Sequence, residues 1–366
     1  MEFIDLKTQY RLYKEEIDAE IHKVLDQSNY VMGQPVRDIE EIMAAYCGVK
    51  HCLTVSSGTD SLLMALMALD VGPGDEVITI PFTWISTLEV IKLLGAKAVL
   101  ADICPDTYNI DIDQIESLIT PNTKAIMPVS LFGQMPDYDR INAIAAKHGV
   151  TVIEDAAQSF GATRNGQRSC GVTALASTSF FPAKPFGCYG DGGALFTDSD
   201  ALATRLRAIR NHGGERRHHH TCVGINGRFD SIQAAVLLGK WPHFEKEVDA
   251  RQRIGARYSE LLKECVETPV VEAGCTHVYA QYTIRHPERD RIQQELKKKD
   301  IPTAIYYPVC CHLQPVFEDW GYQEGDFPVS EKASGEVISL PMHPWLDEAM
   351  QDQVVEAVKE SMAVLA

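Results

Sequence analysis

From residue 53 to about 198 the chain alternates short apolar segments, rich in β-branched residues, with segments of helical periodicity. Strands are expected at Glu76–Ile80, Ala98–Ile103, Lys124–Ser130, Thr151–Glu154, Ser177–Phe181 and Ala194–Thr197. Helices are expected between and after them, at Asp60–Ala68, Ser86–Leu94, Ile112–Ile119, Asp137–His148 and Asp200–Ile209. This alternation leaves few folds open. A strand that returns to its sheet through a helix runs parallel to the strand before it, and the helices cover both faces. The expectation is an α/β protein with a mostly parallel sheet.

A long helical stretch follows from about 229 to 263, with Pro242 expected to break it near the middle. The domain boundary is placed there, giving a large domain over 1–240 and a smaller C-terminal α/β domain over 241–366. In the smaller one, strands are expected at Val278–Ile284, Ala304–Tyr307 and Val337–Leu340, and helices at Arg289–Lys299 and Asp347–Val364.

Charge narrows the partners. The net charge is −17 over 366 residues, with no basic tail, which argues against nucleic acid and anionic membrane. An anionic ligand needs a local pocket that outweighs this field. No run of about 18 apolar residues suggests a membrane-spanning helix. The ten cysteines form no CxxC pair and match no zinc spacing, so reduced core thiols are expected. Together with MEFIDLKTQY, which lacks the apolar core of a signal peptide, they suggest the cytoplasm. Arg216, Arg217, His218, His219 and His220 are contiguous. Adjacent histidines on one loop seldom converge on one ion, so a solvated basic loop or a contact to a nucleotide diphosphate is expected there and no metal site.

Four stretches could carry chemistry. In TSFFPAKPFGCYGDGGA, 178–194, Lys184 sits between Pro182 and Pro185, with Gly187, Gly190, Gly192 and Gly193 following. A lysine can simply pack its stem and reach solvent. On a stiff, apolar loop, burial instead lowers its pKa and leaves a nucleophilic amine, suited to a Schiff base with an aldehyde cofactor. VIEDAAQS, 152–159, leads apolar residues to Glu154 and Asp155 at a strand end, where open parallel sheets bind ligands. The acids could cap a helix. Alternatively, Asp155 could face the ring nitrogen of pyridoxal phosphate (PLP) and keep that ring protonated. VSSGTDSL, 55–62, opens a helix with Ser57, Gly58 and Thr59; it is either an ordinary N-cap or a phosphate turn. PFTWIST, 81–87, sets Trp84 near the same sheet edge, to fill core or to stack on a flat ring. No GxxxxGK[ST] or GxGxxG fingerprint is present, which argues against a P-loop or dinucleotide protein. The order of phosphate turn, aromatic residue, strand-end aspartate and loop lysine is that of a PLP enzyme.

These segments, with FIDLKTQY, GPGDEVI, GINGRFDSIQAAVL and SLPMHP, make the chain resemble the DegT/DnrJ/EryC1/StrS sugar aminotransferases over nearly its whole length. The resemblance implies the aspartate-aminotransferase-like (type I PLP) fold with a seven-stranded sheet, and a homodimer with shared active sites. It implies Lys184 as the Schiff-base lysine and Asp155 as the partner of the pyridine nitrogen. Gln158 would lie near the ring hydroxyl and Trp84 would stack on the ring. Gly58, Thr59 and Ser179 would hold the phosphate, joined by Asn226 from the other subunit. Within the family the chain is most similar to enzymes acting on UDP-2-acetamido-2-deoxy-3-oxo-glucuronate, in which an arginine at the place of Arg228 meets the sugar carboxylate. It departs from them at Tyr306, where a histidine is usual, and at Gly227, where a serine is usual. The expected reaction moves an amino group from L-glutamate to a nucleotide-linked ketosugar and releases 2-oxoglutarate. A dTDP-3-keto or UDP-4-keto 6-deoxyhexose, or a non-catalytic regulatory role on the same fold, are the alternatives.

Overall fold

The computed structural model describes residues 1–365. Two helices, α1 (Leu6–Gln27) and α2 (Gln34–Cys47), precede the alternating region. Asp5 starts α1 by accepting a hydrogen bond from the Thr8 N–H at 2.9 Å. The alternating region then runs β1 (His51–Val55), α3 (Gly58–Ala68), β2 (Glu76–Thr79), α4 (Ser86–Leu93), β3 (Lys97–Leu100), α5 (Ile112–Leu118), β4 (Thr123–Ile126), α6 (Tyr138–His148) and β5 (Thr151–Asp155). A hairpin of β6 (Thr163–Arg164) and β7 (Gln167–Arg168) leads to β8 (Leu175–Ser179), β9 (Gly193–Thr197) and α7 (Asp200–Arg210).

The seven-stranded sheet has the order β1-β9-β8-β5-β4-β2-β3. Only β9 runs against its neighbours, so the sheet is mostly parallel, as expected. Alternate residues enter different cores. Val77, Ala125 and Ile153 join one apolar cluster, and Ile78, Ile126 and Val152 join the other, so both faces are covered. Six strands therefore end at one edge, and the loops after β1, β2, β5 and β8 meet there.

An exposed hairpin, β10 (Gly214–Arg216) with β11 (His219–His220), is followed by α8 (Ser231–Lys240). Pro242 stands in a short 3-10 turn, Trp241–His243, between α8 and α9 (Phe244–Leu262), which is the expected break. The remaining elements are β12 (Tyr282–Arg285), α10 (Arg289–Lys298), α11 (Pro328–Glu336), β13 (Val337–Leu340) and α12 (Glu348–Leu365). Strands β12 and β13 pair antiparallel over a third apolar cluster that includes Tyr258, Ile292 and Val354.

Two expected strands are corrected. Ala304–Tyr307 makes a single bridge, Ala304 to Ser339, because Pro302 and Pro308 flank it and neither can donate to a ladder. The strand expected from Val278 starts only at Tyr282. Before it, the Val278 and Ala280 N–H groups donate instead to Gly133 and Phe132 carbonyls at 3.0 Å. No helix among the described residues is long and apolar enough to cross a membrane.

Candidate active site

The loops at the sheet edge enclose a cavity of about 380 Å³. At one end lie Ser57, Gly58, Thr59 and Ser179. Ser57 caps α3 by accepting from the Asp60 N–H at 3.0 Å. A Cβ on Gly58 would stand 2.7 Å from Ser179 Cβ, and one on Gly193 would stand 2.6 Å from the Ser57 carbonyl. Only glycine lets the start of α3 approach the end of β8 and the start of β9 so closely. The first turn of α3 thus opens into the cavity beside the hydroxyls of Thr59 and Ser179, an arrangement that could hold a phosphate.

Asp155 ends β5 and is buried. Its Oδ2 accepts from the Thr87 hydroxyl at 2.9 Å and its Oδ1 from the Ala157 N–H at 3.2 Å. Burial pushes its carboxyl above the ordinary range, while these hydrogen bonds and the Lys184 charge pull the other way. Strand alternation turns the neighbouring Glu154 away, into a buried site where Ser130, Ser169 and the Cys170 N–H donate to it at 3.0, 2.7 and 2.8 Å. The two acids of the motif therefore have different surroundings, and only Asp155 lines the cavity.

Lys184 lies on the loop after β8 and is half-buried against the cavity. Its backbone N–H donates to the Phe181 carbonyl at 2.9 Å, and the Cys188 N–H closes the loop onto Phe180 at 2.8 Å. Among the described residues its ammonium has no hydrogen-bond or ion-pair partner. Desolvation lowers its pKa, opposed by Asp155. A primary amine held this way is available to a carbonyl.

Trp84 is 59% exposed, so it is not core; it lies on the cavity wall 6.1 Å from the Tyr307 ring. Gln158 accepts from the Phe132 N–H at 2.6 Å and donates to the Tyr307 hydroxyl at 3.1 Å. Tyr306, Ile4 and Gln281 also line the cavity. The sequence reading missed Thr87 and Tyr307. Thr87 ends the PFTWIST stretch, and Tyr307 adjoins Tyr306, but neither contact is legible without the fold. Asn226 and Arg228 are not brought into this chain's cavity. Asn226 is exposed and bridges to Asn211, and Arg228 donates to Asn211 Oδ1 at 2.9 Å. Residues 216–220 are exposed, and no metal-binding cluster of histidine, cysteine and acidic residues occurs among the described residues.

PLP needs an amine for its aldehyde, a carboxylate for its ring nitrogen and a cradle for its phosphate. The unpaired Lys184 amine, the buried Asp155 and the Gly58–Ser179 cradle supply groups that fit each need. The fold and this cavity define a PLP-dependent enzyme of the type I class. Residues 12–359 match the model of the DegT/DnrJ/EryC1/StrS aminotransferase family, and the chain belongs to that family. Over 350 residues it is 51% identical to the UDP-2-acetamido-2-deoxy-3-oxo-D-glucuronate aminotransferase of Pseudomonas aeruginosa, covering 95% of this chain and 97% of that one. A DegT DnrJ EryC1 StrS aminotransferase from Brucella abortus superposes with a TM-score of 0.96 at 41% identity, covering 99% of each chain. NtdA of Bacillus subtilis, solved with its bound cofactor PMP, superposes with a TM-score of 0.90 at 29% identity, covering 99% of this chain and 83% of that one.

Proposed function

We propose that this aminotransferase acts on a nucleotide-linked 3-ketosugar acid, UDP-2-acetamido-2-deoxy-3-oxo-glucuronate, with L-glutamate as donor, in a homodimer whose subunits share active sites. Identity of 51% along 95% of the chain with the Pseudomonas aeruginosa enzyme of that name carries the reading. In this reading residues 1–240 form the cofactor-binding body and 241–366 the smaller domain. The product serves surface-polysaccharide synthesis.

Bound PLP supplies an electron sink for the carbon that bears the amino group. The protein supplies the rest. Lys184 would hold the cofactor through its amine; once freed by the donor, its Nζ would be the general base and acid that takes and returns the proton of the donor's α-carbon. Its lowered pKa suits this work, because a neutral amine must be available near neutral pH. Asp155 would accept the hydrogen bond of the ring N–H and hold that proton there, with Thr87 keeping the carboxylate oriented and favouring its ionised form. Gln158 would lie near the ring hydroxyl, Trp84 would stack on the ring, and Gly58, Thr59 and Ser179 would hold the phosphate. Asn226 would reach that phosphate from the other subunit. Arg228, carried on the same segment, pairs with the sugar carboxylate through two parallel hydrogen bonds. Tyr306 faces the sugar from the cavity wall.

The test is Arg228→Ala assayed on the acidic ketosugar and on a neutral 6-deoxy ketosugar nucleotide. The expected result is a fall of roughly 10- to 100-fold in kcat/KM on the acid, the scale of a lost charged hydrogen bond, with little change on the neutral sugar. Equal losses on both, or a wild type that prefers the neutral sugar, overturn this substrate.

A further inference from the structure

Lys240, the last residue of α8, is 2% exposed and forms no ion pair among the described residues. Its Nζ donates to one acceptor, the carbonyl of Gly187, and stands 5.6 Å from the centre of the Tyr189 ring. A buried ammonium served by a backbone carbonyl is costly, and burial pushes its pKa down to about 8. Its position shows what the contact secures. Gly187 closes the loop that carries Lys184, and a Cβ there would stand 2.5 Å from the Phe181 carbonyl and 2.7 Å from that of Pro182. The chain returns on itself with Lys184 at the bend. Seven residues earlier on α8, Gln233 accepts from the Tyr189 N–H at 2.9 Å and donates to its carbonyl at 3.3 Å. One helix therefore fastens the far side of the loop at two points, two turns apart.

We propose that Lys240 is a positioning residue for transamination: it fixes the Gly187 carbonyl and so sets the height and direction of Lys184 over the cavity. The competing account is charge balance. Glu247 and Arg251 are buried beside Lys240, and Glu247 is held by Gln9, whose amide donates to both carboxylate oxygens at 3.2 Å. If Lys240 only neutralises Glu247, removing both charges restores the enzyme. If it positions the loop, it does not, because Gly187 still lacks its donor.

The experiment compares Lys240→Met, the double variant Lys240→Met/Glu247→Gln, and Lys240→Arg, each loaded with PLP. Readouts are thermal midpoint, kcat and KM for the amino donor, and the pH titration of the visible band of Lys184-bound cofactor. Lys240→Met is expected to lose roughly 10- to 100-fold in kcat with KM little changed, the scale of a misplaced reacting group, and to shift the titration. The double variant is expected to regain thermal stability but not kcat; it carries the test if the single variant does not fold. Lys240→Arg keeps a donor and is expected to keep most of the rate. Unchanged kcat and titration in Lys240→Met, or full recovery in the double variant, overturns the proposal. The inference rests on Lys184 being the reacting lysine. Turnover by Lys184→Ala would remove that footing, whereas an unaffected Lys240→Met would remove only the role given to Lys240.

Discussion

Thr87 donates its hydroxyl to Asp155 Oδ2 at 2.9 Å beneath the cavity, joining the start of α4 to the end of β5. Burial raises the Asp155 pKa and this bond lowers it. Thr87→Val keeps the shape and removes the donor. It is expected to cost about tenfold or more in kcat, the scale of a hydrogen bond to a charged group, and to move the acid limb of the pH–rate profile to higher pH. Thr87→Ser should keep both near wild type. Steady-state rates across pH check this.

Gly58 meets Ser179 too closely for any side chain: a Cβ there would stand 2.7 Å from Ser179 Cβ. Gly58→Ala is expected to weaken PLP binding by tenfold or more while leaving the fold intact, since the strain falls at the cavity and not in the core. Gly58→Ala/Ser179→Gly removes the opposing Cβ and should recover part of the affinity. Equilibrium titration of apoprotein with PLP measures both. Gly58→Ala binding PLP as wild type does would contradict the cradle.

His277 is buried, stacks on the Tyr279 ring at 4.1 Å, and accepts from the Tyr279 N–H at 2.9 Å. Desolvation pushes its pKa down from 6.5 to about 3. Between these values the unfolded chain binds a proton that the folded chain refuses, so stability falls as pH drops below 6.5. For this one group the loss is about 2 kcal/mol by pH 5. His277→Gln should flatten that part of the profile, read from urea midpoints between pH 7 and 5. An unchanged slope would locate the acid sensitivity elsewhere.

Local patterns made much of the sheet and the cofactor end of the cavity legible. Strand ends, turn glycines and the Pro-flanked lysine each lie within one short segment, and Lys184, Asp155, Gly58 and Ser179 do line one cavity. Helix α1 went unread because its buried face is thin, only Gln9, Tyr13, Ile17 and Val24. Ala304–Tyr307 has strand-like residues, but its flanking prolines and the packing of Tyr307 against Gln158 and Trp84 decide otherwise. The partner of Asp155 could not be read either: Thr87 is 68 residues away, and only the β2–β4–β5 order brings them together. Asn226 and Arg228 lie outside this chain's cavity, and the roles proposed for them need a second subunit.

The central claim is that Lys184 holds PLP and moves the proton that lets glutamate's amino group pass to the cofactor. The most direct measurement is the visible absorption spectrum of PLP-loaded protein before and after L-glutamate, for wild type and Lys184→Ala. The account predicts that the band of bound PLP in the wild type gives way to that of pyridoxamine phosphate with release of 2-oxoglutarate, and that Lys184→Ala shows no turnover. A wild-type band that glutamate leaves unchanged, or near-normal turnover by Lys184→Ala, would contradict it.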